Sequence, residues 1–180
     1  MLRFVTTNAE KAAEANDHLG DTTVEQVEYD YDEVQADDVA DIAVRGAKEA
    51  FGAIDGTDPV IVDDTGFYIH GLDGFPGPYA AYVDEKLGIE RVWEVAADLE
   101  DKGAAFNCAV AYADEGTVEV FEGSVEGRLV PPRGDGGFGY DPIFEYDGQT
   151  FAELSMAAKN ETSHRARALS KLASWLENGD

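Results

Sequence analysis

The sequence predicts a single-domain α/β protein in which a central mixed β-sheet is flanked by helices. Residues 60–62 form an uninterrupted β-branched run, Val-Ile-Val, which is typical of a short strand covered on both faces. Residues 2–6 read as a strand, and a polar turn leads from them into a helical pattern over residues 9–19. Residues 105–113 and 118–127 read as two strands joined by a four-residue turn, which predicts a hairpin.

Length and composition agree with one folded domain over residues 1–180. The chain has 44% hydrophobic and 11% aromatic residues, enough to bury a substantial core. It has no internal repeat, low-complexity tract or linker. Its single cysteine, Cys108, rules out an internal disulfide and is expected to be a small core residue. Because no apolar run approaches 18 residues and no signal segment opens the chain, we expect a cytoplasmic protein.

The charge is strongly negative, with 13 Lys and Arg against 38 Asp and Glu, a net charge of −25. Nucleic acids and anionic membranes bind proteins through Lys and Arg, so we expect neither as a partner. The acids are dispersed and the apolar content is normal, which argues against acidic disorder. The composition indicates a protein adapted to concentrated salt, where self-repulsion is screened.

Helical and extended patterns alternate along the rest of the chain. Residues 24–29 read as a strand, and Asp37 or Asp38 is a candidate cap for a helix over residues 39–51. Residues 79–99 are mostly helical, with a break expected near Gly88. The apolar stripe of the 39–51 helix comprises Val39, Ile42, Ala43, Ala47 and Phe51.

The last helix is expected from about Thr162 to Leu176, ending at Asn178-Gly179. Its buried stripe comprises Leu169, Leu172, Ala173 and Leu176.

Two adjacent carboxylates, Asp63 and Asp64, follow the β-branched run and precede Thr65 and Gly66, where we expect the strand to end in a turn. Paired acids at a buried strand end repel each other unless a cation or proton lies between them. Ligands of open α/β sheets bind beyond such strand ends, so this is the candidate reaction centre. An acidic turn in a very acidic protein is the alternative. The spacing of Asp63, Asp64 and Thr65 does not fit the aspartyl-phosphate motif of haloacid dehalogenases.

The scarce cations are unevenly distributed, and four of them lie between residues 159 and 171: Lys159, Arg165, Arg167 and Lys171. We place Lys159 and Arg165, with His164, at or before the start of the last helix, where a cation opposes the helix dipole. A pocket for an anionic ligand would explain them; a helix surface balancing nearby acids is the alternative.

The first helix start offers a second anion site, because backbone N–H groups and the positive end of the dipole point there. Lys11 falls in its first turn and Lys48 lies on the 39–51 helix; either is also compatible with a solvated lysine. The glycines of residues 134–139 fit the spacing of a dinucleotide fingerprint, but no helix opens after them, so we reject that reading.

Several short motifs occur in a set order along the chain: residues 6–11, 63–66, 74–77, 138–144, 152–154, Lys159 and 163–165. In these motifs and their order the chain resembles inosine/xanthosine triphosphate pyrophosphatases, which hydrolyse non-standard purine nucleotides. The resemblance spans nearly the whole chain. Two positions depart from the family pattern: Thr7 and Thr65 stand where the family often has Gly and Ser. Thr7 adds a side chain where backbone should approach phosphate.

The resemblance implies an inosine triphosphate pyrophosphatase-like fold with an active-site cleft between two lobes, and cleavage between the α- and β-phosphates. It implies Mg²⁺ as cofactor, with Glu33 and Asp64 as ligands and Asp63 as a possible helper. It assigns activation of the attacking water to Asp64. Adjacent strand residues point to opposite faces, so Asp63 and Asp64 should not both face the metal unless the strand has turned.

The resemblance also implies the substrate contacts and a homodimer. Phe138 would stack on the purine, and an Arg165 or backbone donor would pair with the 6-carbonyl of hypoxanthine or xanthine. Phe75, Pro76 and Tyr79 are expected to be loop packing, or else part of a subunit contact. The implied substrate-binding residues are Thr6, Thr7, Asn8, Ala9, Glu10, Lys11, Lys48, Thr65, Phe138, Gly139, Tyr140, Asp141, Lys159, His164 and Arg165.

Two alternatives remain open. A Maf-like nucleotide pyrophosphatase has a similar fold and reaction, although residues 138–144 and 163–165 argue against it. A non-catalytic nucleotide sensor would bind triphosphate without cleaving it. The acids Glu33, Asp63 and Asp64 favour an enzyme, because acids repel phosphate and would not help mere binding.

Overall fold

The fold is taken from a computed structural model that describes residues 1–20, 22–31, 35–54 and 58–179. The strands are β1 Leu2–Val5, β2 Val24–Val27, β3 Val60–Ile69, β4 Pro76–Gly77, β5 Gly103–Ala113, β6 Val118–Leu129, β7 Phe144–Tyr146 and β8 Gln149–Thr150. The helices are α1 Ala9–His18, α2 Val39–Ala53, α3 Ala80–Leu87, α4 Ile89–Ala96, α5 Met156–Thr162 and α6 His164–Asn178.

The strands form one mixed sheet in the order β2-β1-β3-β5-β6-β7-β8, and β4 pairs with β3. β1 pairs in parallel with β2, Leu2 opposite Val24, and with β3, Phe4 opposite Ile61. β4 on β3, β7 on β6 and β8 on β7 are antiparallel. The predicted α/β class with a mixed sheet flanked by helices is therefore confirmed.

One compact unit comprises Met1–Asp64, Cys108–Gly123 and His164–Asp180. Alternate residues of β3 enter two different buried clusters, as expected when successive side chains point to opposite faces. Ile61 packs with residues of α1 and α6, whereas Val60 and Val62 pack with residues of α2. Cys108 is fully buried in the α1–α6 cluster, which confirms it as a core residue.

The other compact unit comprises Thr65–Asn107 and Ser124–Ser163. Its core holds the buried faces of α3 and α4 and an aromatic cluster in which Phe67, Phe106 and Phe144 contact one another. Phe151 stacks on Phe106, with ring centroids 5.7 Å apart. Among the described residues of the chain, no helix is long and apolar enough to cross a membrane.

Several predicted elements are confirmed, including the cap of α2. Asn8 caps α1 and Asp38 caps α2 through side-chain oxygens that accept backbone N–H groups. Gly88 separates α3 from α4 with φ of 75°, the conformation that favours glycine. Asp114 and Thr117 close the β5–β6 hairpin through backbone and side-chain hydrogen bonds.

One expectation is wrong. The strand does not end at the carboxylates, because β3 stays extended through Asp63 and Asp64 to Ile69. The predicted last helix is confirmed as α6, which begins at His164. A short helix before it, α5, was not predicted; it ends at Thr162, and Ser163, extended with ψ of 158°, separates the two helices. Lys159 is in the last turn of α5, so it lies before the start of the final helix, as expected.

Candidate active site

The turn between β1 and α1 is held by its own polar side chains. Asn8 Oδ1 accepts hydrogen bonds from the N–H groups of Glu10, at 2.9 Å, and Lys11, at 3.3 Å. Thr6 Oγ1 in turn accepts the N–H of Asn8 at 3.1 Å. Thr7 is exposed at the tip of this turn. The turn thus directs the positive end of α1 outward, an arrangement that suits anions.

Asp63 is the centre of a buried ion-pair cluster in the same unit. Lys11 Nζ donates to its Oδ1 and Arg165 Nε to its Oδ2, each at 2.9 Å. Only 1% of the Asp63 side chain is exposed. Burial acts to raise the pKa of Asp63, but the charges and hydrogen bonds of Lys11 and Arg165 outweigh it and lower the pKa to about 2. Asp63 is therefore a fixed negative charge.

Arg165 has a second acid partner that the sequence did not reveal. Its Nη1 donates to Glu14 Oε2 at 3.1 Å, and its side chain is 7% exposed. Burial alone would lower the pKa of Arg165, whereas Asp63 and Glu14 raise it and keep the guanidinium charged. The sequence signalled that Glu14 needs a charged partner but not which one. Glu14 lies between Ala12 and Ala15 on the buried side of α1, where an unpaired acid is costly.

Asp64 and Thr65 follow Asp63 along β3. Because the strand is extended here, Asp63 lies on the Ile61 side of the sheet and Asp64 on the Val62 side, so the two acids do not face the same way. Asp64 Oδ2 is buried. Thr65 Oγ1 is also buried and makes no hydrogen bond within the described part of the chain.

Of the remaining residues predicted to bind phosphate or metal, one is exposed and one lies outside the described residues. Lys48 is exposed on α2. Glu33, a predicted metal ligand, lies outside the described residues. Over residues 1–20, 22–31, 35–54 and 58–179, no group of three or more His, Cys, Asp or Glu side chains is placed to hold a metal ion.

A second cluster, in the other unit, surrounds Phe138. Asp141, which is 2% exposed, accepts hydrogen bonds from the Phe138 N–H at 2.8 Å and from Lys159 Nζ. Lys159 Nζ also lies 4.5 Å from the centroid of the Phe138 ring, a cation–π contact. Phe138 itself remains 53% exposed. The loop therefore exposes the Phe138 ring, and the buried ion pair of Asp141 and Lys159 fixes its position.

The neighbouring residues secure this loop. Tyr140 donates its hydroxyl to Ala80 O at 2.9 Å, and its ring stacks on Phe67 with centroids 4.4 Å apart. Burial and the charge of Asp84 raise the pKa of Tyr140, so its hydroxyl stays protonated. Gly139 has φ of 57°, a conformation that favours glycine.

The three basic residues predicted to contact the nucleoside are all buried but belong to different units. Lys159 is in the unit with Phe138, whereas His164 and Arg165 are in the unit with Asp63. The structure thus forms two clusters from the predicted residues: Lys11, Asp63 and Arg165 in one unit, and Phe138, Tyr140, Asp141 and Lys159 in the other.

Comparison with known proteins supports the resemblance drawn from the motifs. Residues 2–175 match the model of the Ham1 family. A dITP/XTP pyrophosphatase of Methanosarcina mazei is 42% identical over 180 residues, covering 98% of this chain and 97% of that protein. An inosine triphosphate pyrophosphatase of Tuber melanosporum is 43% identical over 180 residues, covering 98% and 96%. The Staphylococcus aureus Ham1 structure superposes with a TM-score of 0.89 at 27% identity, covering 99% of each chain. This chain belongs to the Ham1 family.

Proposed function

We propose that this protein hydrolyses ITP, dITP and XTP to the nucleoside monophosphate and pyrophosphate, clearing non-standard purine nucleotides from the cytoplasmic pool. Family membership over almost the whole chain carries the proposal, and the relatives' names supply the substrates. The buried cations support it, because they lie where the motifs predict nucleotide contacts in a protein that otherwise repels anions.

The triphosphate is assigned to the start of α1. Lys11 Nζ, fixed by Asp63, is a charge-assisted donor for phosphate oxygens, each such bond contributing roughly 1.5–3 kcal/mol. Lys48 is exposed on α2, so it is a second candidate cation. The residues assigned to the phosphates are Thr6, Thr7, Asn8, Ala9, Glu10, Lys11 and Lys48.

Mg²⁺ is the proposed cofactor, and the donor set fits it. Mg²⁺ binds through one or two carboxylates together with phosphates and waters, so a large acid cluster is not required. Asp64, with its buried Oδ2, and Glu33 are the proposed ligands. Both oxygens of Asp63 already accept hydrogen bonds from cations, so we propose that it helps indirectly, by orienting Lys11 and Arg165. Bound Mg²⁺ would offset phosphate charge against the acidic protein.

Asp64 is the proposed general base, taking a proton from the water that attacks the α-phosphate. Positioning and charge stabilisation supply most of the catalysis in phosphoryl transfer, and a general base adds about 10²–10⁴-fold. We therefore expect Asp64→Asn to lower turnover at saturating Mg²⁺ by about 10²-fold or more. A variant within tenfold of wild type would contradict the assignment.

The purine is assigned to the exposed face of Phe138. A hydrogen-bond donor directed at the 6-carbonyl pairs with hypoxanthine or xanthine but is left unpaired against adenine, a large penalty in a buried site. Arg165 Nε and Nη1 donate to acids, so the remaining N–H groups of Arg165 or a backbone N–H supply this donor. The other residues assigned to the nucleoside are Thr65, Gly139, Tyr140, Asp141, Lys159 and His164.

The test is a substrate panel of ITP, XTP, ATP, GTP and TTP with Mg²⁺ in multi-molar KCl, with pyrophosphate as the readout. Hydrolysis of ITP and XTP alone supports the proposal, and chelation should abolish it. Preference for TTP indicates a Maf-like enzyme, and binding without turnover indicates a sensor. Equal hydrolysis of ITP after thorough chelation would overturn the metal assignment.

We also propose that the protein is a homodimer adapted to high salt. The dimer is implied by the resemblance, and Phe75 and Tyr79 support it because both are exposed rather than packed within their loop. Light scattering after gel filtration in 2 M KCl tests it: a mass near 19.4 kDa would indicate a monomer.

A further inference from the structure

Glu14 is a buried acid to which the proposed reaction gives no role. It lies on the inward side of α1 and is 8% exposed. Burying a carboxylate is costly unless a cation compensates it, and Arg165 Nη1 does so at 3.1 Å from Glu14 Oε2. Lys11 lies three residues earlier on the same helix.

These side chains form a row of alternating charges in the order Glu14, Arg165, Asp63, Lys11. Arg165 is held on two sides, by Glu14 through Nη1 and by Asp63 through Nε. Asp63 is also held on two sides, by Arg165 and by Lys11. Exposure of the side chains rises from 1% at Asp63 to 22% at Lys11, so the ammonium is the end that reaches the surface.

Two anchors fix the plane of a guanidinium, because its N–H groups point in set directions. With Glu14 absent, Arg165 would keep one of its two acid partners in the described part of the chain, Asp63, and could rotate about that bond. A rotating Arg165 would no longer hold Asp63 Oδ2 in one position, so Asp63 Oδ1 would no longer be directed toward Lys11. The effect would reach Lys11 without any change at the residue itself.

We propose that Glu14 is a positioning residue that acts through Arg165 and Asp63 to hold the Lys11 ammonium where it meets the triphosphate. This inference rests on the proposed function, which assigns Lys11 to the phosphates. It deepens that function by extending the phosphate site to an acid that never touches substrate.

The sign of the effect separates positioning from simple electrostatics. Removing a negative charge from a protein of charge −25 should, by charge alone, favour binding of an anion. Loss of positioning predicts the opposite, a weaker complex. Asp17 provides a matched control, because it is an exposed acid one turn further along α1.

Titration calorimetry with Mg²⁺-tripolyphosphate in multi-molar KCl measures the phosphate site without requiring turnover. We expect Glu14→Ala to weaken binding about tenfold, the scale of one charge-assisted hydrogen bond, and Asp17→Ala to leave it unchanged. Glu14→Gln keeps an acceptor for Arg165 Nη1, so its loss should be smaller, about threefold. Unchanged or tighter binding by both Glu14 variants would overturn the proposal.

A double-mutant cycle tests whether the effect passes through Lys11. In a Lys11→Met background, Glu14→Ala and Glu14→Gln should weaken tripolyphosphate binding by less than about twofold, because the group they position is gone. Losses that multiply independently would show a merely structural role and overturn the proposal. If Glu14→Ala does not fold, Glu14→Gln gives the same comparison.

The kinetic readout distinguishes failure of this inference from failure of the proposed function. Glu14→Ala should raise the KM for ITP by more than it lowers kcat. A wild-type protein that bound tripolyphosphate without hydrolysing ITP would refute the proposed activity, yet the binding cycle would still decide the role of Glu14.

Discussion

Replacing Asp63 with Asn tests the ion-pair cluster most directly. The amide is nearly the same size as the carboxylate but carries no charge, so Lys11 and Arg165 lose the anion between them. Of its two acid partners within the described residues, Arg165 would keep Glu14 while remaining buried. We expect Asp63→Asn to lower the free energy of unfolding at neutral pH.

The pKa of Asp63 sets the magnitude. A pKa lowered from 3.8 to about 2 corresponds to roughly 2–3 kcal/mol of stability held by the ionised form. Removing one member of a fully buried ion pair costs more, about 3–5 kcal/mol. Because Lys11 is 22% exposed and can turn toward water, the loss of stability should lie near the roughly 2–3 kcal/mol that follows from the pKa of Asp63.

The pH dependence follows from the sign of the shift. The folded-state pKa of Asp63 is below its unfolded value, so its contribution is present above pH 3.8 and is lost as pH falls through about 2. Wild type and Asp63→Asn should therefore differ by about 2–3 kcal/mol at pH 7 and converge between pH 4 and pH 2.

Urea unfolding in 2 M KCl, followed by circular dichroism at pH 7, 5, 4 and 3, measures both effects. Asp58→Asn is the control, since Asp58 makes a partly exposed pair with Arg3 at 3.6 Å that should contribute less than about 1 kcal/mol. A loss below 1 kcal/mol for Asp63→Asn, or a difference that does not shrink at acid pH, would refute the reasoning.

Two further predictions concern the loop that carries Phe138. Tyr140→Phe leaves Ala80 O without its buried donor, which should cost about 1–2 kcal/mol in urea unfolding and raise KM for ITP more than it lowers kcat. Gly137→Ala should impair ITP hydrolysis far more than Gly139→Ala. Both glycines have positive φ, so both variants strain the backbone. A Cβ at Gly137 would also collide with the Asp141 carboxylate, whereas a Cβ at Gly139 would meet Asp84 Oδ2 at an ordinary 3.9 Å. Equal losses from the two alanine variants would show that backbone strain, and not the collision, limits the loop.

The parts of the fold that depend on neighbouring residues could be predicted from the sequence. Asn8 and Asp38 cap helices through bonds to residues two or three positions away, so the signal lies within one turn. The turn that joins β5 and β6 is equally local, because Thr117 donates its N–H to Asp114 Oδ1 three residues earlier. Leu169 and Leu172 are buried as the periodicity of the last helix indicated.

The course of β3 could not be predicted, because its cause is remote in the chain. Read locally, Asp63 and Asp64 are adjacent like charges that should end a buried strand. The cations that neutralise Asp63 come from 52 and 102 residues away. Glu14 and Arg165 are 151 residues apart, so their pairing was equally invisible. One sequence, without its fold, cannot indicate which of 38 acids receives which of 13 cations.

The same scarcity of cations predicts how the protein responds to salt. Three of its 13 basic side chains, Lys11, Lys159 and Arg165, are committed to the two clusters, which leaves ten to offset the acidic surface of a protein with a net charge of −25. Raising salt from 0.1 to 1 M shortens the Debye length from about 10 Å to about 3 Å, and this should remove most of the repulsion between surface acids while screening the buried pairs much less. We expect the thermal midpoint, followed by circular dichroism, to rise steeply up to about 1 M KCl and then more slowly.

Preferential exclusion of salt would instead give a continuing rise that is larger with sulfate. Equal midpoints at 0.1 and 2 M KCl would refute salt adaptation, and a rise that depended on sulfate rather than on ionic strength would refute screening as its cause.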